Sequence, residues 1–548
     1  MVRRWAVQAL PLRKVVMWAL LLSLMPVHAA DTPQALVAQM TLRQKVGQIF
    51  MLSFFGSPMN EAARAMLREW QPGAVVLLPS NLGTPSQITA LTNDVQQTIL
   101  GAGGLPAFIA VDQEGGIIAR LKDGFTEFPV PALWAATNNP ALIEQVGAAM
   151  ATEMLAVGVN MNLAPVADLN TNPRNPIIGR RAFGSDPALV AQAVAAWVRG
   201  AQSVGVMAAA KHFPGHGDTS EDSHITVAVV PHGLDRLQAV ELVPFASAIQ
   251  AGVGAVMMGH LYVAALEPTP NLPASLSPTI VTGLLREGMG YNGIIMTDAM
   301  DMDAIDTVYS APQRAISAIL AGNDLILLGA HISPAEQISA MQAVVEAVES
   351  GLISLERIEA SARRIVAAKQ RFGVLDWEPL DVANASARIP REAHEALIEQ
   401  VFREGITLVY DRVGALPLPE GALVIYPASR PSLWNDCRPA GVRGLGVNLS
   451  PTDEQIAWAR TESQRASVVV VFTQNARRDP QQTKLVQALP LGRTMAVALW
   501  EVDDLAAFPD VAAYMLVYSP SVRSNRALCE ILTGQITPSG VPALEVPR

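Results

Sequence analysis

The 548-residue sequence predicts an α/β protein in which a (β/α)8 TIM-type barrel is followed by a smaller α/β sandwich domain. Three observations carry this prediction. The chain is longer than one hydrophobic core usually serves. Eight short apolar runs alternate with amphipathic stretches between residues 42 and 329, and a second set of apolar runs follows a connector. Half of the residues are apolar and 16% are charged, which is typical of a packed globular protein.

The first 29 residues have the layout of a secretory signal peptide. Four basic side chains precede an apolar run of 13 residues from Val15 to Val27, which is short for a membrane span, and a V-x-A sequence ends at Ala29. The alternative is that the segment stays uncleaved and anchors the protein in the membrane. A lipoprotein anchor is not expected, because the leader contains no cysteine to carry the lipid. We therefore expect a periplasmic or extracellular protein that contacts the membrane only if the leader is retained.

The barrel is predicted over residues 30–376 and ends with a long helix at 354–376. Its candidate strands are apolar on both faces and alternate with helical stretches, a pattern that favours a closed parallel barrel over an open sheet. The candidate strands lie at 46–54, 73–78, 107–113, 160–168, 206–213, 254–260, 293–299 and 324–329.

A proline-containing connector over 377–395 leads to a second domain at 396–548. Five more apolar runs, such as "ASVVVVFT", predict a mainly parallel sheet with helices on its faces. No glycine-rich phosphate-binding loop follows any of these runs, and we predict no cofactor. Cys437 and Cys529 both lie here, and either a disulfide or two unpaired core thiols would fit the sequence.

The charge distribution argues against nucleic acid as a partner. The formal net charge is −10, and the chain contains no long run of lysine or arginine. A small-molecule or oligosaccharide substrate is the remaining expectation.

Polar or ionisable residues follow five of the candidate barrel strands, in "AVDQEGG", "APVADLN", "AAKHFPGHG", "MMGHL" and "MTDAMD". Taken singly, such a residue could be a helix cap or a turn residue. In a parallel barrel, however, all strand ends of this kind open onto the one face where active sites are found. The sequence therefore predicts a catalytic site at this face.

The segment "KHFPGHGDTSEDSH" holds three histidines, and three chemistries could use it. His212, His216 and Asp218 could bind zinc, but the proline and glycine between the two histidines exclude the regular helix that an H-x-x-x-H site needs. A serine triad around Ser223 is disfavoured because adjacent side chains point apart and no G-x-S-x-G elbow is present. Because the segment cannot form that helix, we predict no metal site.

General acid–base catalysis by a carboxylate-supported imidazole fits this segment best. Asp222 and His224 are two residues apart, so in an extended backbone they can face the same side. The carboxylate would orient the ring and raise its basicity. The reacting centre would then come from another strand, and Asp298, with Asp301 nearby, is the best candidate.

Four motifs, occurring in this order, resemble family 3 of the glycoside hydrolases: "AVDQEGG" (110–116), "NPIIGRRAFGSDP" (175–187), "KHFPGHGDTSEDSH" (211–224) and "GIIMTDAMDM" (293–302). Within that family the chain resembles the exo-β-N-acetylglucosaminidases, whose distinguishing signature is K-H-F-P-G-H-G-D-T followed by D-S-H. The resemblance extends from about residue 40 to "GQITPSG" near the C-terminus.

The resemblance implies a role for each matching residue. Asp298 matches the catalytic nucleophile, His224 the acid–base residue and Asp222 its dyad partner. Position 180 departs from the pattern, because arginine stands where relatives often have an acidic residue. The residues that match those holding the terminal N-acetylglucosamine through its hydroxyls are Asp112, Arg120, Arg181, Lys211 and His212.

Structural explanations remain open for several of these residues. Asp112 and Asp298 could be strand-end caps, and Arg120 and Arg181 could form surface or interdomain ion pairs. Two further strand-end residues, His260 and Asp168, are expected to be structural hydrogen-bonding groups.

The resemblance implies an exported, retaining exo-β-N-acetylglucosaminidase that acts on peptidoglycan fragments or chitooligosaccharides. Many relatives of this branch act in the cytoplasm, so the leader is a departure. A β-N-acetylglucosaminide phosphorylase is an alternative, since a neutral imidazole repels phosphate less than a carboxylate does. The chain could also be a β-glucosidase or a non-catalytic sugar-binding protein.

Overall fold

The computed structural model describes residues 32–223 and 226–546. The predicted signal peptide at 1–29 and the predicted acid–base residue His224 lie outside these ranges. Within the part of the chain that is described, no helix is both long and apolar enough to cross a membrane.

Eight parallel strands form the barrel. In the order β7-β6-β5-β4-β3-β2-β1-β8 they make one sheet, and a bridge from Met296 to Leu325 brings its two edges together. Each strand lies inside one of the eight apolar runs, so the predicted barrel is confirmed. The strands are β1 Phe50–Leu52, β2 Ala74–Val76, β3 Phe108–Val111, β4 Met161–Asn162, β5 Met207–Phe213, β6 Ala255–Met258, β7 Ile294–Thr297 and β8 Ile326–Leu327.

Helices surround the barrel, and many begin at a capping residue followed by proline. At Thr84, for example, the hydroxyl accepts a hydrogen bond from the backbone of Gln87. The segment Thr279–Gly288 is wound as a π-helix. The α-helices of the barrel are Pro33–Gln39, Leu42–Gln48, Glu61–Trp70, Pro85–Gly101, Pro131–Ala136, Pro140–Leu155, Pro187–Ser203, Leu234–Ala239, Val243–Gln250, Asp303–Asp306, Ala311–Ala321, Pro334–Glu349 and Leu355–Arg371.

The C-terminal domain is a six-stranded sheet with helices on its faces. Its strand order is β9-β14-β13-β12-β10-β11; β9 runs antiparallel to β14 and the other pairs are parallel, which confirms the predicted mainly parallel sheet. The strands are β9 Thr407–Asp411, β10 Leu423–Pro427, β11 Arg443–Val447, β12 Val469–Thr473, β13 Thr494–Ala498 and β14 Ala513–Leu516. The α-helices are Arg391–Gly405, Ser432–Asn435, Asp453–Ser463, Pro480–Gln487 and Val522–Leu532.

A disulfide joins two parts of the C-terminal domain. Cys437 follows the helix Ser432–Asn435, and Cys529 lies in the helix Val522–Leu532, with their Cα atoms 5.3 Å apart. The sequence left a disulfide and free thiols open, and the structure pairs the two cysteines.

The two domains pack on one another at several places. The helix Arg391–Gly405 lies against Pro131–Ala136 of the barrel, and His394 on this helix contacts the buried carboxylate of Glu153 at 2.8 Å. The chain end also returns to the barrel, where Val541 N donates to Ala136 O at 2.8 Å. The C-terminal domain is thus attached to the barrel along both its first helix and its last residues.

Lys369, on the helix Leu355–Arg371, is fully buried and donates to Gln48 Oε1 at 2.7 Å. Burial lowers its pKa to about 7. Below that pH the lysine is charged in the folded and the unfolded chain, so the folded protein bears the full cost of a buried charge. As the pH rises toward the ordinary lysine value of 10.5, only the unfolded chain stays protonated and the cost disappears.

We therefore expect Lys369→Met to stabilise the protein. The free energy of unfolding should rise by roughly 1–3 kcal/mol at pH 6, after the loss of the hydrogen bond to Gln48, and the gain should shrink between pH 7 and 10. Denaturant titrations at several pH values measure both effects. Lys484→Met, at a lysine that is 61% exposed, is the control; a gain independent of pH would contradict the explanation.

Candidate active site

A cavity of about 510 Å³ opens where the carboxyl ends of the barrel strands meet. Six of the eight predicted site residues line it. Of the other two, Asp222 precedes the lining residue Ser223, and His224 lies outside the described residues. The lining residues predicted from the sequence are Asp112, Arg120, Arg181, Lys211, His212 and Asp298.

Asp298 follows β7, and its backbone is fixed by a hydrogen bond from its N–H to Met258 O at 3.0 Å. Its Oδ1 accepts from Ala299 N at 2.7 Å. Burial opposes ionisation, but the neighbouring His212 and Lys211 side chains and the hydrogen bond from Ala299 outweigh it and hold the pKa of Asp298 below its ordinary value. The carboxylate is therefore ionised at neutral pH, as a nucleophile requires.

His260 supports the backbone next to Asp298. Its Nε2 donates to Ala299 O at 2.9 Å, which leaves Nδ1 to accept from the hydroxyl of Ser275 at 2.7 Å. Burial lowers the pKa of this imidazole. These contacts give His260 the structural role that the sequence suggested.

A buried carboxylate, Glu114, lies at the centre of the charged groups of the cavity. It accepts two hydrogen bonds from Arg181, both at 2.8 Å, and Lys211 Nζ lies 2.7 Å from its Oε1. Lys211 also donates to Asp112 Oδ1 at 2.8 Å. Two acidic and two basic side chains therefore hold one another in an arrangement that offers both donors and acceptors to a ligand.

Sequence reasoning missed Glu114, although it lies in the motif "AVDQEGG". The signal was present in the spacing, because Asp112 and Glu114 are two residues apart after a strand and so can face the same side. Burial would raise the pKa of Glu114, but Lys211 and Arg181 outweigh it and hold that pKa far below its ordinary value. Burial likewise disfavours a charged Lys211, yet Asp112 and Glu114 raise its pKa.

We expect Glu114→Gln to lower the free energy of unfolding by about 3 kcal/mol, because the buried Lys211 and the largely covered Arg181 lose their common partner. The contribution of Glu114 is present above pH 4.5, its ordinary pKa, and is lost as the pH falls further, so the difference from the unsubstituted protein should shrink in acid. Denaturant unfolding at pH 7 and pH 3.5 measures it. Glu61→Gln is the control, since its pair with Arg68 is exposed and should contribute little.

His212 is held by Asp168, a fully buried carboxylate after β4. Asp168 Oδ2 accepts from His212 Nδ1 at 2.7 Å, and Asp168 Oδ1 accepts from the backbone N–H of His216 at 2.7 Å. Burial opposes ionisation of Asp168, but His212 and the hydrogen bond from the backbone N–H of His216 hold its pKa below the ordinary value. Because Nδ1 is engaged, Nε2 of His212 is left for the cavity. Asp168 is thus a structural group, as expected, and orients a predicted sugar-binding residue.

His216 was considered from the sequence only as a zinc ligand. In the structure its ring joins two other residues of the segment 211–224. Its Nδ1 lies 2.8 Å from Thr219 Oγ1 and its Nε2 lies 2.8 Å from Ser223 Oγ. The Thr219 hydroxyl donates to the backbone carbonyl of His216, so it accepts from Nδ1, and Nε2 accepts from Ser223. Burial lowers the pKa of His216 to about 4, so the ring is neutral at neutral pH. Within the described residues, no three histidine, cysteine, aspartate or glutamate side chains lie together in a group that could hold a metal ion.

Arg120 reaches the cavity from a short hairpin after β3. The strands Gln113–Gly115 and Ile118–Ala119 pair antiparallel, and Arg120 N donates to Gln113 Oε1 at 2.8 Å. Gly115 has a φ of +95°, and a Cβ there would lie 2.5 Å from Pro129 O. Glycine is therefore required at this turn, which presents Glu114 and Arg120 to the same cavity.

The chain matches known proteins over most of its length. Residues 41–368 match the model of the glycosyl hydrolase family 3 N-terminal domain. Beta-hexosaminidase A of Pseudoalteromonas piscicida is 31% identical over 422 residues, which cover 71% of this chain and 70% of the relative. A beta-hexosaminidase of Stenotrophomonas maltophilia (strain R551-3) is 37% identical over 286 residues, covering 51% of this chain and 83% of the relative.

A solved structure extends the match to both domains. The glycoside hydrolase family 3 beta-N-acetylglucosaminidase from Paenibacillus sp. str. FPU-7 superposes with a TM-score of 0.83 at 35% identity, covering 92% of this chain and 99% of that one. The barrel and the second domain agree with this match. The chain therefore belongs to family 3 of the glycoside hydrolases and is a glycoside hydrolase.

Proposed function

We propose that this enzyme is an exported, retaining exo-β-N-acetylglucosaminidase that acts on peptidoglycan fragments or chitooligosaccharides. The observation that carries the proposal is the placement of Asp298, ionised at a strand end, in one cavity with Lys211, Arg181 and Asp112. The names of the relatives, beta-hexosaminidase and beta-N-acetylglucosaminidase, support the choice of sugar.

In the first step, Asp298 attacks the anomeric carbon of the bound sugar and forms a covalent glycosyl-enzyme. The bond to the leaving oxygen breaks at the same time, and the imidazolium of His224 gives its proton to that oxygen. Asp222 would orient the ring and stabilise its charge. Its position next to Ser223, which lines the cavity, supports this role.

In the second step, His224, now neutral, takes a proton from water while the water oxygen attacks the anomeric carbon. The bond to Asp298 breaks, the carboxylate is regenerated, and the sugar leaves with its original β configuration. The lowered pKa of Asp298 supports its service as both nucleophile and leaving group.

The charged groups of the cavity would hold the terminal sugar through its hydroxyls. Lys211 and Arg181 supply donors, and Asp112 supplies acceptors, with no rearrangement of the ion pairs that already fix them. His212 and Arg120 complete the set that lines the cavity. Pairing between the binding groups keeps them oriented before the substrate arrives.

Export is proposed from the leader alone, whose basic start, short apolar run and V-x-A sequence are typical of a signal peptide. An exported enzyme would meet cell-wall fragments or chitooligosaccharides outside the cytoplasm. N-terminal sequencing of the protein secreted by a producing strain tests this proposal: a mature chain beginning after Ala29 is expected, and a cytoplasmic protein with an intact N-terminus would overturn it.

Release of nitrophenol by the purified protein tests the activity. Rapid release from the β-N-acetylglucosaminide but not from the β-glucoside, with no effect of phosphate, is expected. A rate that rises with phosphate and yields the sugar 1-phosphate would make the enzyme a phosphorylase, while preference for the glucoside would make it a β-glucosidase. No turnover of either substrate by folded protein would favour a non-catalytic sugar-binding protein.

A further inference from the structure

Arg180 links the C-terminal domain to the turn that carries Arg181. The two arginines are consecutive in the short turn Gly179–Arg181, and their side chains reach different domains. Arg181 binds Glu114 in the cavity, whereas Arg180 Nη1 donates to the carbonyl of Tyr518 at 2.9 Å. One turn therefore joins a predicted sugar-binding group to the second domain.

The surroundings of Arg180 form a pocket built by the C-terminal sheet. Its guanidinium carbon lies 4.7 Å from the ring centroid of Trp500, and its Nε lies 3.4 Å from Glu501 Oε1. Both residues follow β13, and Tyr518 follows β14, so the carboxyl ends of two neighbouring strands meet the arginine. Arg180 is only 9% exposed. Burial lowers its pKa to about 10 against the opposing effect of Glu501, so it stays charged at neutral pH.

The turn itself has little apolar support of its own. Ile178 and Ala182 pack with Val166 in a small cluster that is separate from the main hydrophobic core. Polar contacts supplement this cluster, among them the bond from Gly179 N to Asn170 Oδ1 at 3.0 Å. A turn with so small a core depends on the contacts made by its side chains, and those of Arg180 are the ones that reach the second domain.

We propose that Arg180 is a positioning residue through which the C-terminal domain holds Arg181 in place for the sugar. The inference rests on the proposed function, in which Arg181 binds the terminal sugar. It also explains the departure at position 180. An acidic side chain there could not donate to Tyr518 O and would repel Glu501, whereas arginine makes both contacts. The C-terminal domain thus contributes to substrate affinity without supplying a catalytic residue.

The test compares Arg180→Met with Arg388→Met. Methionine keeps much of the apolar stem and removes the guanidinium. Arg388 is a matched control, because its Nε also donates across the chain to a backbone carbonyl, that of Ala156, at 2.9 Å. Ala156 directly follows the helix Pro140–Leu155 and so precedes β4, at the end of the barrel opposite the cavity.

Two measurements are made on the full-length protein. With the nitrophenyl β-N-acetylglucosaminide, Arg180→Met should raise KM about tenfold and change kcat by no more than about twofold, because sugar binding is weakened and the reacting groups are unchanged. Amide hydrogen exchange of residues 177–183 should become faster in the same variant, since Arg181 N and Ala182 N close the turn. Arg388→Met should leave both unchanged.

Unchanged exchange in Arg180→Met would overturn the inference, as would faster exchange with an unaltered KM. If the unsubstituted enzyme fails to turn over the substrate, the proposed function falls, and the exchange measurement still decides whether Arg180 holds the turn. If Arg180→Met does not fold, Glu501→Gln replaces it. We then expect KM to rise about two- to threefold, kcat to stay about the same, and amide hydrogen exchange of residues 177–183 to become faster.

Discussion

Replacement of Asp298 by alanine should lower kcat for the nitrophenyl β-N-acetylglucosaminide by at least about 10⁴-fold, equivalent to about 5.4 kcal/mol of activation free energy. The physical reason is that, in the proposed mechanism, no covalent intermediate can form without this carboxylate. The carboxylate is ionised and lines the cavity. KM should change little, because the groups proposed to hold the sugar remain.

Two controls make this result specific. Asp301 also lines the cavity, and its carboxylate accepts a hydrogen bond from His331 N. If Asp298 alone is the nucleophile, Asp301→Asn should lower kcat by less than about tenfold. Added azide should restore turnover by Asp298→Ala and give the α-glycosyl azide. Equal losses in both variants, or a β-configured azide product, would contradict the assignment.

The second large effect is expected for His224→Gln, and it should depend on the leaving group. A chitooligosaccharide has a poor leaving group that needs a proton, so its turnover should fall about 10²- to 10⁴-fold. Nitrophenolate leaves without protonation, so the first step should be nearly unaffected with that substrate, and the glycosyl-enzyme should accumulate as a burst of nitrophenol. Asp222→Asn should act in the same direction and less strongly, because it removes only the support of the imidazole.

His331→Gln is the matched control, since His331 lines the same cavity and has no proposed role. Its turnover rates on both substrates should stay within about threefold of those of the unsubstituted enzyme. Equal losses on the two substrates in His224→Gln would show that His224 does not act as the proton donor. Steady-state rates and pre-steady-state bursts on the two substrates provide the comparison.

Much of the fold could be predicted because it is encoded locally. The barrel strands are apolar on both faces, and each one falls inside a run that is visible in the sequence. The polar residues at the strand ends could be grouped before any contact was known, because parallel strands in a barrel all end on one face. Asp112, Lys211 and Asp298 were therefore assigned to one site by topology, and the family resemblance added their roles.

The partners of these residues could not be predicted in the same way. Arg181 binds Glu114 across 67 residues, and His212 binds Asp168 across 44. Which carboxylate meets which cation depends on the side-chain geometry of loops that follow different strands. The spacing from Asp112 could have singled out Glu114, but not its pairing with Arg181 and Lys211. In the same way, His216 was considered as a metal ligand, although its ring joins Thr219 to Ser223.

The sequence by itself determined the two α/β domains, the face of the barrel that carries the site, and the chemical types of its residues. These follow from periodicity, from strand ends and from motifs, which are properties of neighbouring positions. The tertiary structure alone decided the buried Glu114 centre, the pairing of Cys437 with Cys529 and the contact of Arg180 with Tyr518. The disulfide joins residues that are 92 positions apart within the C-terminal domain, and the bond from Arg180 to Tyr518 joins residues that are 338 positions apart in different domains. Residues so far apart in the sequence are brought together only when the whole chain packs.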